Sequence, residues 1–280
     1  MAVAELKEAI RVLRTIPSLW ITGIVAGTLA ATLWILYNSA GAFFTSKLLI
    51  IFGLIFLFFI TGSLTVIKRE SGNVKDLITG GARSFFRVLL PQMVVIFSLG
   101  LVMILAIMTL SFAGITPDPE VLTAFTLAIG IPALLITQFF DTAAVFEDRL
   151  VFDSIRRSID IVTTRFGDVI AFIGVSCGVV MVILFGLMMV WEAFLFDKLE
   201  PLSRYNETQI QAITPDQMLA IIGPSGVWVT AGVLFLAGVL LVPVLISYKA
   251  CFYRSITNSV PTIQQEITGE YDSKGRWYKY

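Results

Sequence analysis

A carboxylate inside an apolar run is the first residue of this chain that could do chemistry. Asp141 sits in Gln138-Phe139-Phe140-Asp141-Thr142-Ala143-Ala144. At helical spacing Gln138, Asp141 and Thr142 share one face. A charge in hydrocarbon is costly, which makes it a functional candidate by default. Pro132, nine residues earlier, bends a helix and frees a carbonyl, so the group reads as a cation or proton site. The competing reading is local: Asp141 lies near the headgroups and caps or pairs there. Lys249, at a similar depth at the end of the last apolar run, is then its partner.

Other constellations are thin. There is no histidine, which removes the commonest general base and metal ligand. Cys177 and Cys251 form no metal-like spacing and read as small, packed, reduced side chains. Gly72-Asn73 and Gly80-Gly81 read as breaks in a polar segment. They are not a phosphate loop, because no strand precedes them and no Gly-Lys-Ser/Thr follows. Arg11, Arg14, Arg83, Arg87, Arg156 and Arg157 are candidate contacts for lipid phosphates. Glu147, Asp148 and Asp153 cluster, but Arg149, Arg156 and Arg157 interleave with them, so salt-bridging on a solvated face is the simpler account. No catalytic residue, cofactor or metal is assigned, and the expectation is a protein that is not an enzyme.

The elements that must position these residues follow from composition. The chain is 57% hydrophobic and 14% charged, with a mean hydropathy of +0.87, where soluble domains carry about 25% charged residues. Its natural solvent is lipid. Six runs are long enough to span, roughly 16–37, 47–67, 88–114, 121–146, 167–191 and 225–248. The first is preceded by Glu5, Lys7, Glu8, Arg11 and Arg14 and is too long for a signal-peptide core, so it is expected to stay in the mature protein. The fold class is therefore all-α, a polytopic membrane helix bundle.

Of the 20 Lys and Arg, all but Lys47, Lys198 and Arg204 fall in segments 1–15, 68–87, 147–166 and 249–280. Positive residues stay cytoplasmic, which places both termini inside a cell (plasma) membrane. The expected domains are a six-span unit over 1–254 and a polar cytoplasmic tail over 255–280. The tail's aromatic, basic end either anchors at the interface, is disordered, or binds a partner.

Three polar segments carry helical stripes: Leu6, Ile10 and Leu13; Val74, Leu77, Ile78, Ala82 and Phe85; Phe152, Ile155, Ile159 and Val162. Such helices lie in the membrane interface or pack under the bundle. Each precedes an odd-numbered span, which suggests a unit of interfacial helix, span out and span back used three times. Ile131-Pro132 and Val242-Pro243 suggest a proline kink shared by spans four and six. Gly23-x-x-x-Gly27 and Gly174-x-x-x-Gly178 permit close helix approach, within the bundle or, as the alternative, in a homodimer. In the outer 192–224 loop, Thr214-Pro215-Asp216-Gln217 reads as a capping box that starts a short helix. Asn206-Glu207-Thr208 is a glycosylation sequon.

The stretch Ala144-Val145-Phe146-Glu147-Asp148-Arg149, then Ser154-Ile155-Arg156-Arg157-Ser158 and Arg165-Phe166 before an apolar span, resembles a group of prokaryotic six-span membrane proteins of unknown function. The group includes archaeal families and the membrane domain attached to some glycerophosphodiester phosphodiesterases. The resemblance covers the topology but only this motif in sequence. The phosphodiesterase domain has no counterpart here, so its activity does not carry over. The resemblance implies a helical membrane bundle without assigned chemistry. The expected function is a scaffold, assembly factor or accessory subunit of a membrane complex. A transporter or channel for a small solute or ion, and a lipid-modifying enzyme using Glu147 and Asp148, are the alternatives. Expected partners are membrane lipids, other membrane proteins or a second copy, and no nucleic acid.

Overall fold

The computed structural model describes residues 2–112, 114, 118–200, 206, 213–259, 269–271 and 277–279. It is an all-α polytopic bundle. The helices are α1 (Ala2–Thr15), α2 (Leu19–Ala40), α3 (Ala42–Arg69), α4 (Val74–Phe112), α5 (Pro119–Thr137), α6 (Phe140–Phe146), α7 (Val151–Thr164), α8 (Phe166–Leu199) and α9 (Pro215–Ser259). Among the described residues six segments are long and apolar enough to cross a membrane: α2, α3, α4, α5 with α6, α8 and α9. The chain is thus a multi-pass membrane protein. In the tail, Gly269–Tyr271 pairs antiparallel with Trp277–Lys279, Glu270 opposite Tyr278.

The spans form an arc in which α8 packs on α9, α9 on α2, α2 on α3 and α3 on α4, while α5 meets α4 and α7. The buried core is concentrated at one end, the end that carries α1, α6 and α7. There Leu13, Leu19, Leu64, Val66, Leu77, Val88, Ala144, Val145 and Ala250 form one cluster. Phe139, Phe172, Tyr248, Phe252 and Tyr253 anchor a second, their rings stacked at 4.5 Å for Phe172–Phe252 and 4.8 Å for Phe172–Tyr248. This basic end also carries most of the cations. Toward the opposite end α4 and α5 expose their side chains, Phe97, Phe112 and Leu127 among them. Lipid solvates such faces as readily as protein does, so nothing drives their burial.

Small residues set the close approaches. A Cβ on Gly27 would lie 2.3 Å from the Phe235 carbonyl oxygen, and one on Gly238 would lie 2.4 Å from Gly27 Cα, so α2 and α9 touch backbone to backbone. Thr22 and Ser63 hydroxyls, 2.6 Å apart, tie α2 to α3. The second small-residue pair behaves differently: Gly174 and Gly178 have open space where a Cβ would go. They face away from the bundle, contrary to the intramolecular packing expected from their spacing. A glycine pair permits approach, and only a neighbour on that face makes use of it.

Two further expectations are corrected. Gly80-Gly81 do not break the second polar segment; they lie inside α4, pressed against Thr65 and Phe58 of α3, where a Cβ would come within 2.6 and 2.9 Å. The break falls at Gly72-Asn73, where the Asn73 side chain accepts from the Lys75 amide at 3.0 Å. Consequently 74–87 is not a separate interfacial helix but the first part of a 39-residue helix. Pro17 separates α1 from α2, and the residues before Pro91 contain no comparable breaker. The repeated unit therefore has a separate first helix in two of its three expected copies. Helix also continues through Pro132 and Pro243; the breaks lie at Gln138–Phe139 and at Gly223, whose φ is 64°.

The faces by which α1, α4 and α7 seat on the bundle mix small or polar residues with a few aliphatic ones: Ala2, Glu5, Ala9 and Leu13; Leu77, Gly80, Gly81 and Ser84; Ser154, Ser158, Ile161 and Val162. Ile10, Ile78, Phe86 and Phe152 remain exposed beside them. Close helix contact also selects small residues, so a reading by hydrophobicity alone finds Leu13, Leu77 and Val162 but misses Ala9, Gly80, Gly81, Ser154 and Ser158 beside them.

The far end is fixed by its own caps. The Gln217 amide donates to Thr214 Oγ1 at 3.3 Å and the Thr214 amide to Gln217 Oε1 at 2.9 Å, a complete capping box. Lys198 Nζ donates to the Ile222 carbonyl at 2.7 Å, satisfying a group released by the Gly223 break. Trp34 donates to the Val227 carbonyl and Trp191 to Thr230.

Candidate functional site

The sequence around span four builds a polar joint at the basic end. The fourth span is interrupted at Gln138–Phe139, and Ser158 of α7 repairs the interruption. Its hydroxyl donates to the Ile136 carbonyl at 2.7 Å and accepts from the Phe139 amide at 3.0 Å. Irregular backbone at membrane depth needs such a partner. Gln138 sits in the break with its amide nitrogen buried and without a partner among the described residues. The interruption ends the shared face expected for Gln138, Asp141 and Thr142.

Just beyond it, α6 presents Asp141 to α9. Lys249 Nζ donates to both carboxylate oxygens, at 2.6 and 2.7 Å. The Thr142 amide and hydroxyl donate to Oδ1 at 2.7 and 3.2 Å. Asp141 Oδ1 therefore takes three bonds and Oδ2 one. On its other side Asp141 ends a cavity of about 410 Å³ bounded by α3, α4 and α5, with Gln92 and Thr137 as the nearby polar side chains. Two further cavities, of about 310 and 600 Å³, lie between α2, α3 and α9 and are lined almost wholly by apolar side chains.

The turn after α6 carries two carboxylates with different tasks. Glu147 accepts from Tyr253 at 2.6 Å, Arg149 at 2.5 Å and Arg157 at 3.1 Å. Burial alone would raise its pKa, but these hydrogen bonds and the two guanidinium charges hold it below the usual carboxylate value. Asp148, in the left-handed conformation at φ 53°, accepts from Lys68 at 2.6 Å and Arg87 at 2.5 Å. The Lys68 hydrogen bond is the main reason its pKa is lowered, with the charges of Lys68 and Arg87 adding to it. Lys68 also caps the Val145 carbonyl at 2.8 Å. Arg254 completes the joint, donating to Glu70 at 3.0 Å and to the Ile67 carbonyl at 2.7 Å, with its guanidinium over the Phe146 ring. Glu5, buried in α1, accepts from Ser255 at 2.8 Å and ties α1 to the same helix end.

The candidate headgroup contacts divide. Arg87 and Arg157 are engaged with carboxylates. Arg83 and Arg156 are exposed. Arg11 and Arg14 line a shallow cleft of about 240 Å³ together with Lys7 and Ile10. Asn206 is exposed, and the rest of its sequon lies outside the described residues. Sequence reasoning treated Glu147 and Asp148 as a solvated face and gave no part to Lys68, Tyr253 or Arg254. A tyrosine and an arginine directly after an apolar run, level with Lys249, were the available signal.

No family model, curated protein or solved structure matches this chain. The joint is therefore read from its own chemistry. It gathers residues of α3, α4, α6, α7 and α9, and Glu70, Asp141, Glu147 and Asp148 in it each have a cation within reach.

Neutralising the hub tests this reading. Glu147→Ala leaves Arg157, whose side chain is 13% exposed, without its carboxylate, and orphans the Tyr253 hydroxyl. The expected loss is about 2–3 kcal/mol, the cost of stranding a part-buried charge and a hydroxyl. Glu147→Gln, which keeps an acceptor for Tyr253, should lose less. Denaturant-induced unfolding in mixed micelles measures both. Acidification acts on the same groups. Carboxyls with lowered folded-state pKa contribute stability that is complete above their unfolded values near 4.5 and 3.8. It is lost as pH falls through the folded ones. The melting temperature in nanodiscs should hold from pH 7 to 5 and fall below about pH 4, and the fall should shrink in Glu147→Gln.

Proposed function

We propose that this chain is a non-catalytic scaffold or accessory subunit of a membrane complex, in the cell membrane, with both termini cytoplasmic. The observation that carries the reading is the fate of its charges. Asp141 is spent on Lys249, Glu147 on Arg149 and Arg157, and Asp148 on Lys68 and Arg87. Charges so engaged hold helix ends in place rather than exchange with solutes. The apolar flank along α4 and α5 offers a broad surface to neighbouring proteins or lipid. The cation asymmetry supports the orientation. The proposed kinship with the six-span family of unknown function rests on the motif 144–149 and 154–158, whose residues here build the joint.

The test is the state of the full chain extracted from native membranes into a polymer nanodisc. A stoichiometric assembly with other membrane proteins is expected. A strictly monomeric chain would overturn the proposal.

One observation favours a transporter as the second reading: span four is broken directly beside a cavity that ends on a carboxylate. Solute or proton flux in proteoliposomes that is lost on Asp141→Asn would establish it, and absence of flux across a solute panel would end it.

A further inference from the structure

The cavity above Asp141 contains an unexplained polar group. Gln92 lies on α4 inside the third span, next to Pro91, and lines that cavity. Its side-chain amide has no hydrogen-bond partner among the described residues. An amide left unsatisfied in hydrocarbon costs several kcal/mol. Two more polar groups face the same space. Thr137 donates to the Ala133 carbonyl at 2.6 Å, so its oxygen is open as an acceptor. Asp141 Oδ2 accepts one bond, from Lys249, and retains acceptor capacity.

Three helices thus bring one donor–acceptor amide and two acceptors to the basic end of an otherwise apolar cleft. From Val88 to Leu99 the cleft follows twelve residues of α4, eleven helical steps or a rise of about 16 Å. That matches one leaflet, half of a hydrocarbon core about 30 Å thick. Its walls Leu134 and Ile96 are exposed to the surrounding lipid, so a ligand enters sideways from the bilayer.

We infer that this cleft binds one amphiphile from the leaflet at the basic end, its acyl chain along Leu99 and Leu134 and an uncharged, hydroxyl-bearing head on Gln92, Thr137 and Asp141. The head must supply hydrogens to Asp141 Oδ2 and Thr137 and an oxygen to the Gln92 amide, which a diol does. The carboxylate disfavours an anionic head. Lys249 contributes by fixing the direction of the Asp141 side chain, donating to both of its oxygens. The inference stands whether or not the chain is an accessory subunit.

The experiment uses the full chain in phosphatidylcholine nanodiscs, titrated with monoolein and, separately, oleate, and read by native mass spectrometry. One monoolein per chain should be retained saturably, with oleate at least tenfold weaker. Gly53 borders the cleft and has open space where a Cβ would go, so Gly53→Phe should fill it and abolish retention while the chain stays folded. Gln92→Leu, similar in volume, should weaken binding about fivefold to tenfold, the worth of one hydrogen bond, and decides the matter if Gly53→Phe does not fold. Equal monoolein retention in wild type and Gln92→Leu would overturn the inference. So would oleate binding as tightly as monoolein, or non-saturable uptake that reflects partition into the bilayer alone.

Discussion

Gly27→Leu should abolish the folded bundle, while Gly174→Leu should leave it intact. Both glycines begin or end a small-x-x-x-small pair in an apolar span, and sequence gives no reason to separate them. Their surroundings do. A Cβ at Gly27 would stand 2.3 Å from a backbone oxygen of α9, which cannot move aside as a side chain would. The leucine must push α2 from α9 over the length where Gly23 and Gly238 also touch the partner helix. Overpacking against side chains costs about 1–3 kcal/mol, and a backbone clash between two central helices exceeds that range. At Gly174 the same side chain enters lipid, where it is at home, and the helix gains a residue of better intrinsic propensity. The expected change there is under about 0.5 kcal/mol, in either direction. Denaturation in mixed micelles, followed by circular dichroism, separates the two. Comparable losses at both positions would mean that α8 uses its glycine face against a second protein.

The ion pair between Asp141 and Lys249 gives the second large effect. Lys249→Met leaves a carboxylate that is 15% exposed beside an apolar cavity, with Thr142 as its remaining donor. Removing one partner of a buried pair typically costs about 3–5 kcal/mol, because the other charge is stranded. Here the residual exposure of both side chains brings the expectation to about 2–4 kcal/mol. The double variant Asp141→Leu/Lys249→Met should recover most of that loss, since a well-packed apolar pair replaces ions at little net cost. The cycle of both single variants and the double, measured by unfolding in nanodiscs, isolates the coupling. A double variant as unstable as Lys249→Met would show that the pair positions other groups and does more than neutralise itself. The single variants also report on the amphiphile cleft, because Asp141→Leu removes one of its acceptors.

What could be read from the sequence is what local physics and solvent fix. Six apolar runs must be helices in lipid, because hydrocarbon offers no partner for an unpaired backbone group. Thr214-Pro215-Asp216-Gln217 forms its capping box because all the atoms involved lie within one turn. The break at Gly72-Asn73 and the role of Gly23-x-x-x-Gly27 in close packing were legible for the same reason: residue type and spacing suffice. The limits of the runs were less so. α8 continues to Leu199 and α9 through Lys249 to Ser259, since a helix does not stop where its surroundings turn polar unless a breaker stops it.

Tertiary structure decided the rest. Whether a glycine face meets a helix or lipid depends on the neighbour, which is why Gly27 and Gly174 have opposite surroundings despite equal spacing. The joint at the basic end draws on residues 61 to 187 positions apart, such as Arg87 with Asp148 and Arg254 with Ile67. No window of sequence contains both halves of such a contact. Glu147 and Asp148 read as surface charges because their neighbours in the chain are arginines. They act as a clasp because Lys68, Arg87 and Tyr253 arrive from other helices. Even the Asp141–Lys249 pair, whose members the sequence singles out, acquires its chemistry from a third element. Only the approach of α4 brings Gln92 to the same space and gives that end of the apolar cleft a polar floor.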